Sequence, residues 1–125
     1  MAKAHICLSF IILLYISSVL FTITAGRFVR VNAQSQGDWC VAKPGTTTKQ
    51  LQNKLDYACS KIDCQVVSTG GTCYSPDNLY NMASVAMNLY YQAEGRYFGN
   101  CNFEGSGLIA ITDPSYGCCK YQFNK

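Results

Sequence analysis

Seven cysteines fall between Gln34 and Lys125, at positions 40, 59, 64, 73, 101, 118 and 119. A segment of this size buries only a modest apolar core, so covalent cross-links carry much of its stability. Cysteines at this density behind an apolar leader predict a disulfide framework formed in an oxidising compartment. Zinc is the other common use of clustered cysteines. Here no CxxC pair occurs and the sole histidine is His5, so no metal and no cofactor is expected. The odd count and the adjacent pair in DPSYGCCKY leave one sulfur over. Adjacent cysteines rarely bridge each other, because disulfide geometry favours Cα atoms farther apart than one peptide link provides. Either Cys118 or Cys119 can belong to the framework on this reading.

Residues 6–23, ICLSFIILLYISSVLFTI, form an apolar run without a charge, preceded by Lys3 and His5. This reads as a secretory signal peptide covering residues 1–33, with cleavage after Ala25 or after Ala33. The run is also long enough for an uncleaved signal anchor. The second site gives the start QSQGDWC but leaves Arg27 and Arg30 ahead of it. Removing the leader changes the charge balance. The formal +3 comes from Lys3, Arg27 and Arg30, and residues 34–125 carry seven Lys/Arg against seven Asp/Glu. A neutral domain has no basic patch, so neither nucleic acid nor an anionic membrane is expected as partner. The tail QFNK brings no second hydrophobic stretch, so no GPI signal is expected, and no N-x-S/T sequon occurs. The expectation is a secreted protein without a stable membrane anchor after cleavage.

Within 34–125, DWCVAKPG opens the domain and ends in a Pro-Gly turn. Thr47 with Gln50 forms a capping box, and Leu51, Leu55 and Ala58 repeat at helical spacing, predicting a helix over 48–60. Cys59 and Cys64 bracket its end. A second helix is predicted over 76–93, with Ser75 as N-cap, Pro76 at the first position and Asp77 at the positive dipole end. Leu79, Met82/Ala83, Ala86 and Tyr90 give its period, and Gly95 its stop. Short strands are expected near 102–103, 108–112 and 118–123. The predicted class is a small disulfide-rich α+β domain, two main helices with a minor antiparallel sheet.

Catalysis finds little support. His-based nucleophilic chemistry lacks its histidine. Asp56, Asp63, Asp77, Glu94, Glu104 and Asp113 sit beside turns or on polar helix faces, which suits caps and solvated charges better than a paired glycosidase site. No catalytic residue is assigned. Aromatic content is the notable feature: Trp39, eight tyrosines, Phe98, Phe103 and Phe123 in residues 34–125. Tyrosine supplies flat area at low entropic cost with a wet hydroxyl. A sugar ring offers the matching mixed surface, an apolar C–H face and a rim of hydroxyls. The candidate carbohydrate-contacting residues are Trp39, Asp56, Tyr57, Tyr90 or Tyr91, and Tyr97. The competing reading places some of these rings in the core. Trp39 beside Cys40 suits packing on a disulfide, and Tyr90 and Tyr91 point about 100° apart, so only one faces the core.

WCVAKPG, LDYACS, GGTCY followed by Pro76, ASxAxNxYYQ, the Cys101/Phe103 pair and DPSYGxCxY, in that order, resemble the family 43 carbohydrate-binding modules of plants. These domains are appended to β-1,3-glucanases, carried on callose-binding proteins and found alone in small pollen allergens. The resemblance spans Trp39 to Tyr121. It implies a non-catalytic, cell-wall β-1,3-glucan binder with two helices and a small antiparallel sheet. It also implies the bridges Cys40–Cys101, Cys59–Cys64 and Cys73–Cys119. Cys118 then becomes the surplus sulfur, expected free or bonded to a second chain, giving a monomer or a Cys118-linked dimer. The sequence departs from the family at Met82, Val85 and Met87, where His, Tyr and Phe are usual. If those positions touch sugar, ligand preference changes; if they are core, methionine is a tolerable filler. The alternative class is a cysteine-stabilised defence or lipid-binding peptide, which calls for eight mature cysteines and a CxC that residues 34–125 lack.

Overall fold

A computed structural model describes residues 12–17 and 37–125. Residues 12–17 are helical; the rest of the predicted leader lies outside the described residues. From residue 37 onward the chain is one folded unit. Its elements are strand β1 (Trp39–Ala42), helix α1 (Thr48–Cys59), helix α2 (Leu79–Ala93) and strand β2 (Gly107–Ala110). Single 3-10 turns lie at Gln65–Val67, Phe98–Cys101 and Phe103–Gly105.

Helix α1 starts where the sequence places it. The Thr47 hydroxyl accepts from the Gln50 N–H, and the Gln50 side chain accepts from the Thr47 N–H. Helix α2 begins three residues later than expected. Ser75–Asn78 forms a turn in which the Asn78 N–H donates to the Ser75 carbonyl, with Pro76 at the second position that its fixed φ suits. The Asn78 side chain, not Ser75, then caps the helix by accepting from the Asn81 N–H.

β1 and β2 pair antiparallel, Trp39 opposite Ala110 and Ala42 opposite Gly107. Two strands replace the three short ones expected. DWCVAKPG contributes β1, Asn102 links two 3-10 turns and Phe103 opens the second, and 118–123 forms no strand beyond a lone bridge, Tyr116 to Cys119. Gly107 is required by contact: a Cβ there would lie 1.6 Å from the Cys101 carbonyl oxygen.

The other edge of β1 meets no strand among the described residues. It is satisfied by side chains of α2 spaced one turn apart. The Tyr80 hydroxyl donates to the Ala42 carbonyl, the Ala42 N–H to Ser84 Oγ, the Cys40 N–H to Asn88 Oδ1, and Gln92 Nε2 to the Asp38 carbonyl. Four helical residues rise about 6 Å and two strand residues about 6.7 Å, so the two repeats stay in step over this short ladder. Ser84, Asn88 and Gln92 are buried, yet each is paired.

The neighbouring stripes of α2 are apolar. Ala83, Met87 and Tyr91 join Cys40, Ala42, Leu51 and Cys101 in one cluster. Val85, with Leu89 at its margin, joins Trp39, Val67, Cys73, Cys119 and Tyr121 in a second. Strand alternation divides β1 the same way, even positions to the first cluster and odd to the second. Val85 and Met87 are fully buried and Met82 packs against the second cluster, so these departures from the family pattern are core fillers. Burial pushes the Tyr121 phenol well above its ordinary range.

Three bridges join described residues, Cys40–Cys101, Cys59–Cys64 and Cys73–Cys119. By loop-closure entropy the two long loops contribute about 4 kcal/mol each and the short one about 2 kcal/mol. Cys118 is disulfide-bonded too, and the expectation of a free thiol there does not hold.

Asn88→Ala strands the Cys40 N–H and the Gln122 carbonyl, to which Asn88 Nδ2 donates. It is expected to cost about 3 kcal/mol in urea unfolding with the bridges intact. Its equally buried neighbour Met87, changed to Leu, should cost under about 1.5 kcal/mol. Equal losses in the two variants would show that the ladder is no support.

Candidate carbohydrate site

A cleft of about 640 Å³ opens between the two helices and the segment leading to β2. From α1 come Asn53, Lys54 and Tyr57; from α2, Tyr90. Gly99 and Asn100 line it from the Phe98–Cys101 turn, and Phe103 and Glu104 from the turn that follows.

Three rings form one wall. Tyr57 and Tyr90 have centroids 5.6 Å apart, Tyr90 and Phe103 5.6 Å, and Tyr57 and Phe103 6.4 Å, all edge to face. This geometry sets the positive ring edges against the negative faces and keeps the rings from collapsing into a stack. Lys61, one turn after Tyr57, holds its ammonium 5.9 Å from that ring. The Tyr90 hydroxyl titrates above the ordinary phenol range, first through side-chain hydrogen bonding with Tyr57 and then through desolvation. The Tyr90 phenol is thus neutral at physiological pH, able to donate and accept.

Phe103 reaches this wall because the chain turns left-handed beneath it. Phe103, Glu104 and Gly105 have φ of 45°, 54° and 85°. Only glycine takes this region freely; for Phe103 and Glu104 it costs about 1–2 kcal/mol each. The Cys40–Cys101 bridge anchors the segment just upstream, and the Gly105 N–H donates to the Asn102 carbonyl. Such local strain persists where the surroundings over-determine it, typically at binding sites. Glu104 Oε1 lies 3.2 Å from Lys54 Nζ. The pair is lopsided, the Lys54 side chain 12% exposed and Glu104 89%, so it contributes at most about 1 kcal/mol.

The sequence candidates separate cleanly. Tyr57 and Tyr90 line the cleft. Trp39 and Tyr91, each 2% exposed, do not reach it. Trp39 packs on Phe123 at 5.1 Å in the second cluster, and Tyr91 lies in the first. Adjacent residues on α2 differ by 100°, so Tyr90 faces the cleft and Tyr91 the core. Asp56 is exposed on α1 outside the cleft and accepts from Gln52 Nε2. Tyr97 is 72% exposed and does not line the cleft. Asn53, Lys54, Asn100, Phe103 and Glu104 were not among the candidates. The i, i+4 spacing of Asn53 and Tyr57 is the one sequence sign that they share a face. Among the described residues, Glu104 is the sole carboxylate lining the cleft. The acid–nucleophile pair of a glycosidase is therefore not assembled there.

The X8 domain family model matches residues 38–108, which include every residue of the cleft. The chain belongs to the X8 domain family. A glucan endo-1,3-beta-glucosidase of Triticum aestivum is 49% identical over 85 residues, covering 68% of this chain and 18% of that enzyme. The major pollen allergen Ole e 10 of Olea europaea is 41% identical, covering 70% of this chain and 73% of the allergen. The plasmodesmata callose-binding protein 2 of Arabidopsis thaliana is 38% identical, covering 70% of this chain and 45% of that protein. The chain thus spans about a fifth of the length of its glucanase relatives and most of the length of the allergen.

The left-handed turn of this X8 domain makes an inverted substitution order. Glu104→Gly and Glu104→Ala both lose the Lys54 pair, but only glycine relieves the backbone. Glu104→Gly is expected to be the more stable by about 1 kcal/mol in thermal or urea unfolding. The reverse order would show that the turn is not held left-handed.

Proposed function

We propose that this X8 domain is a secreted, non-catalytic binder of β-1,3-glucan in the plant cell wall. The observation that carries the reading is the wall of three aromatic rings, Tyr57, Tyr90 and Phe103, beside amide side chains in an open cleft. Tyr57, 48% exposed, offers ring surface to the C–H face of a glucose unit. Asn53, Asn100, the Lys54 ammonium and the two phenols supply donors and acceptors for its hydroxyls. The edge-to-face packing and the strained turn fix the rings before ligand arrives, which lowers the ordering cost of binding. The even charge balance of residues 34–125 suits an uncharged polymer.

The family supports the ligand class, because relatives named for β-1,3-glucan cleavage and for callose binding share the segment that builds the cleft. Hydrolysis does not come with it, since a lone lining carboxylate cannot supply both catalytic roles. Secretion is supported by the apolar run at 6–23 and by the three bridges. No helix among the described residues is long and apolar enough to cross a membrane. A lipid ligand is disfavoured by the asparagines and charges that line the cleft. The wall is built by one chain, so no partner subunit is needed to complete it.

The disulfide-intact protein at micromolar concentration is expected to be retained on insoluble β-1,3-glucan and not on cellulose. Tyr57→Ala should weaken retention about tenfold, the loss typical of a central aromatic contact. Absence of retention by the intact protein overturns the reading, and full retention by Tyr57→Ala moves the site elsewhere.

A further inference from the structure

Tyr97 and Phe98 immediately precede Gly99 and Asn100 of the cleft wall in the chain. They are 72% and 81% exposed, the two most exposed aromatic side chains among the described residues. Neither pairs with another described ring, unlike Tyr57, Tyr90 and Phe103. Solvent exposure of two adjacent large rings opposes the hydrophobic effect, so an anchored chain that holds them out of the core invites an explanation.

The backbone here is anchored at both ends. At one end the Arg96 N–H donates to the Tyr91 carbonyl, and its guanidinium lies 4.7 Å from the Phe123 ring centroid. Arg96 takes a left-handed φ of 62° to make the corner. At the other end Cys101 is bridged to Cys40 in β1. Between them the Asn100 N–H donates to the Tyr97 carbonyl at 2.8 Å. Both ends are thus clamped to the core, and the rings between them are presented outward from a segment that also supplies two residues of the cleft wall.

We propose that Tyr97 and Phe98 form an outer subsite that holds the glucan chain where it leaves the cleft, making the domain selective for long chains over short oligosaccharides. The proposal rests on the glucan-binding reading above and adds its length dependence. The occupant is a further glucose unit of the same polymer. A chain longer than the cleft must cross its edge, and Gly99 and Asn100 of the wall directly follow these two exposed rings in the chain. A sugar's C–H face covers such rings without requiring charge, and neither residue carries any.

The test compares laminaritriose with long-chain laminarin by titration calorimetry, using the wild type, Phe98→Ala and Tyr57→Ala. Circular dichroism and non-reducing mass analysis check the fold. Both variants change exposed or half-exposed side chains and leave the clusters intact. Phe98→Ala is expected to weaken the polymer about tenfold and leave the trisaccharide within about twofold. Tyr57→Ala should weaken both. If Phe98→Ala weakens both ligands alike, or neither, the outer subsite is wrong although the domain still binds glucan. If the wild type binds no glucan of any length, the functional reading fails and the subsite with it.

Discussion

A two-stranded sheet leaves each strand with a bare edge, and in this domain a helix covers one of them. Tyr80, Ser84, Asn88 and Gln92 present hydroxyl, hydroxyl, amide and amide to β1 in place of a third strand's backbone. The substitution works because one helical turn and one strand repeat are nearly equal in length. It also fixes how α2 is rolled about its axis. With the polar stripe aimed at the strand edge, residues 83, 87 and 91 must fall to one side and 85 and 89 to the other. The same roll turns Tyr90 outward, where α1 brings Tyr57 against it. The core division and the cleft are consequences of one hydrogen-bonded ladder.

Much of this was legible, though not always for the right reason. The capping box at Thr47 and the stop at Gly95 rest on local chemistry, and they hold because nothing distant competes with them. The motif ASxAxNxYYQ pointed to the family, yet its polar letters carry a meaning that periodicity alone hides. Ser84, Asn88 and Gln92 recur at i+4 like a solvated stripe, but they are buried. Strand β1 was missed because four residues give no alternation to read, its partner lies 65 or more residues downstream, and its other hydrogen bonds go to side chains. Helix α2 starts late because Ser75-Pro76-Asp77-Asn78 is as good a turn as it is a helix opening, and only the Asn78 cap decides between them.

The site was half visible. Counting aromatics identifies the material but cannot sort it, since Trp39 and Tyr91 have the same composition-level credentials as Tyr57 and Tyr90. What sorts them is the roll of α2 and the alternation of β1, both set by the ladder. Phe103 and Glu104 were out of reach for a different reason. A left-handed run at non-glycine residues is imposed by tertiary constraint, and Gly105 alone does not announce it. The departures at Met82, Val85 and Met87 raised a question about ligand preference that burial answers: they repack the clusters and leave the ring wall to residues on other faces.

The bridges bear on recognition as well as stability. Cys101 lies between Asn100 and Phe103, two residues of the cleft, and its sulfur is bonded to Cys40 on the strand that the ladder holds. Position in the cleft is thereby transmitted from α2 through Asn88 to the Cys40 backbone, and through the disulfide to the far wall. The strained turn after Cys101 can persist only while that anchor does, because releasing it gives Phe103 and Glu104 a route back to ordinary backbone angles. Reduction would therefore loosen the ring wall ahead of the clusters, which other contacts still hold. An oxidising compartment is, in this architecture, a condition for a formed site as much as for a folded chain.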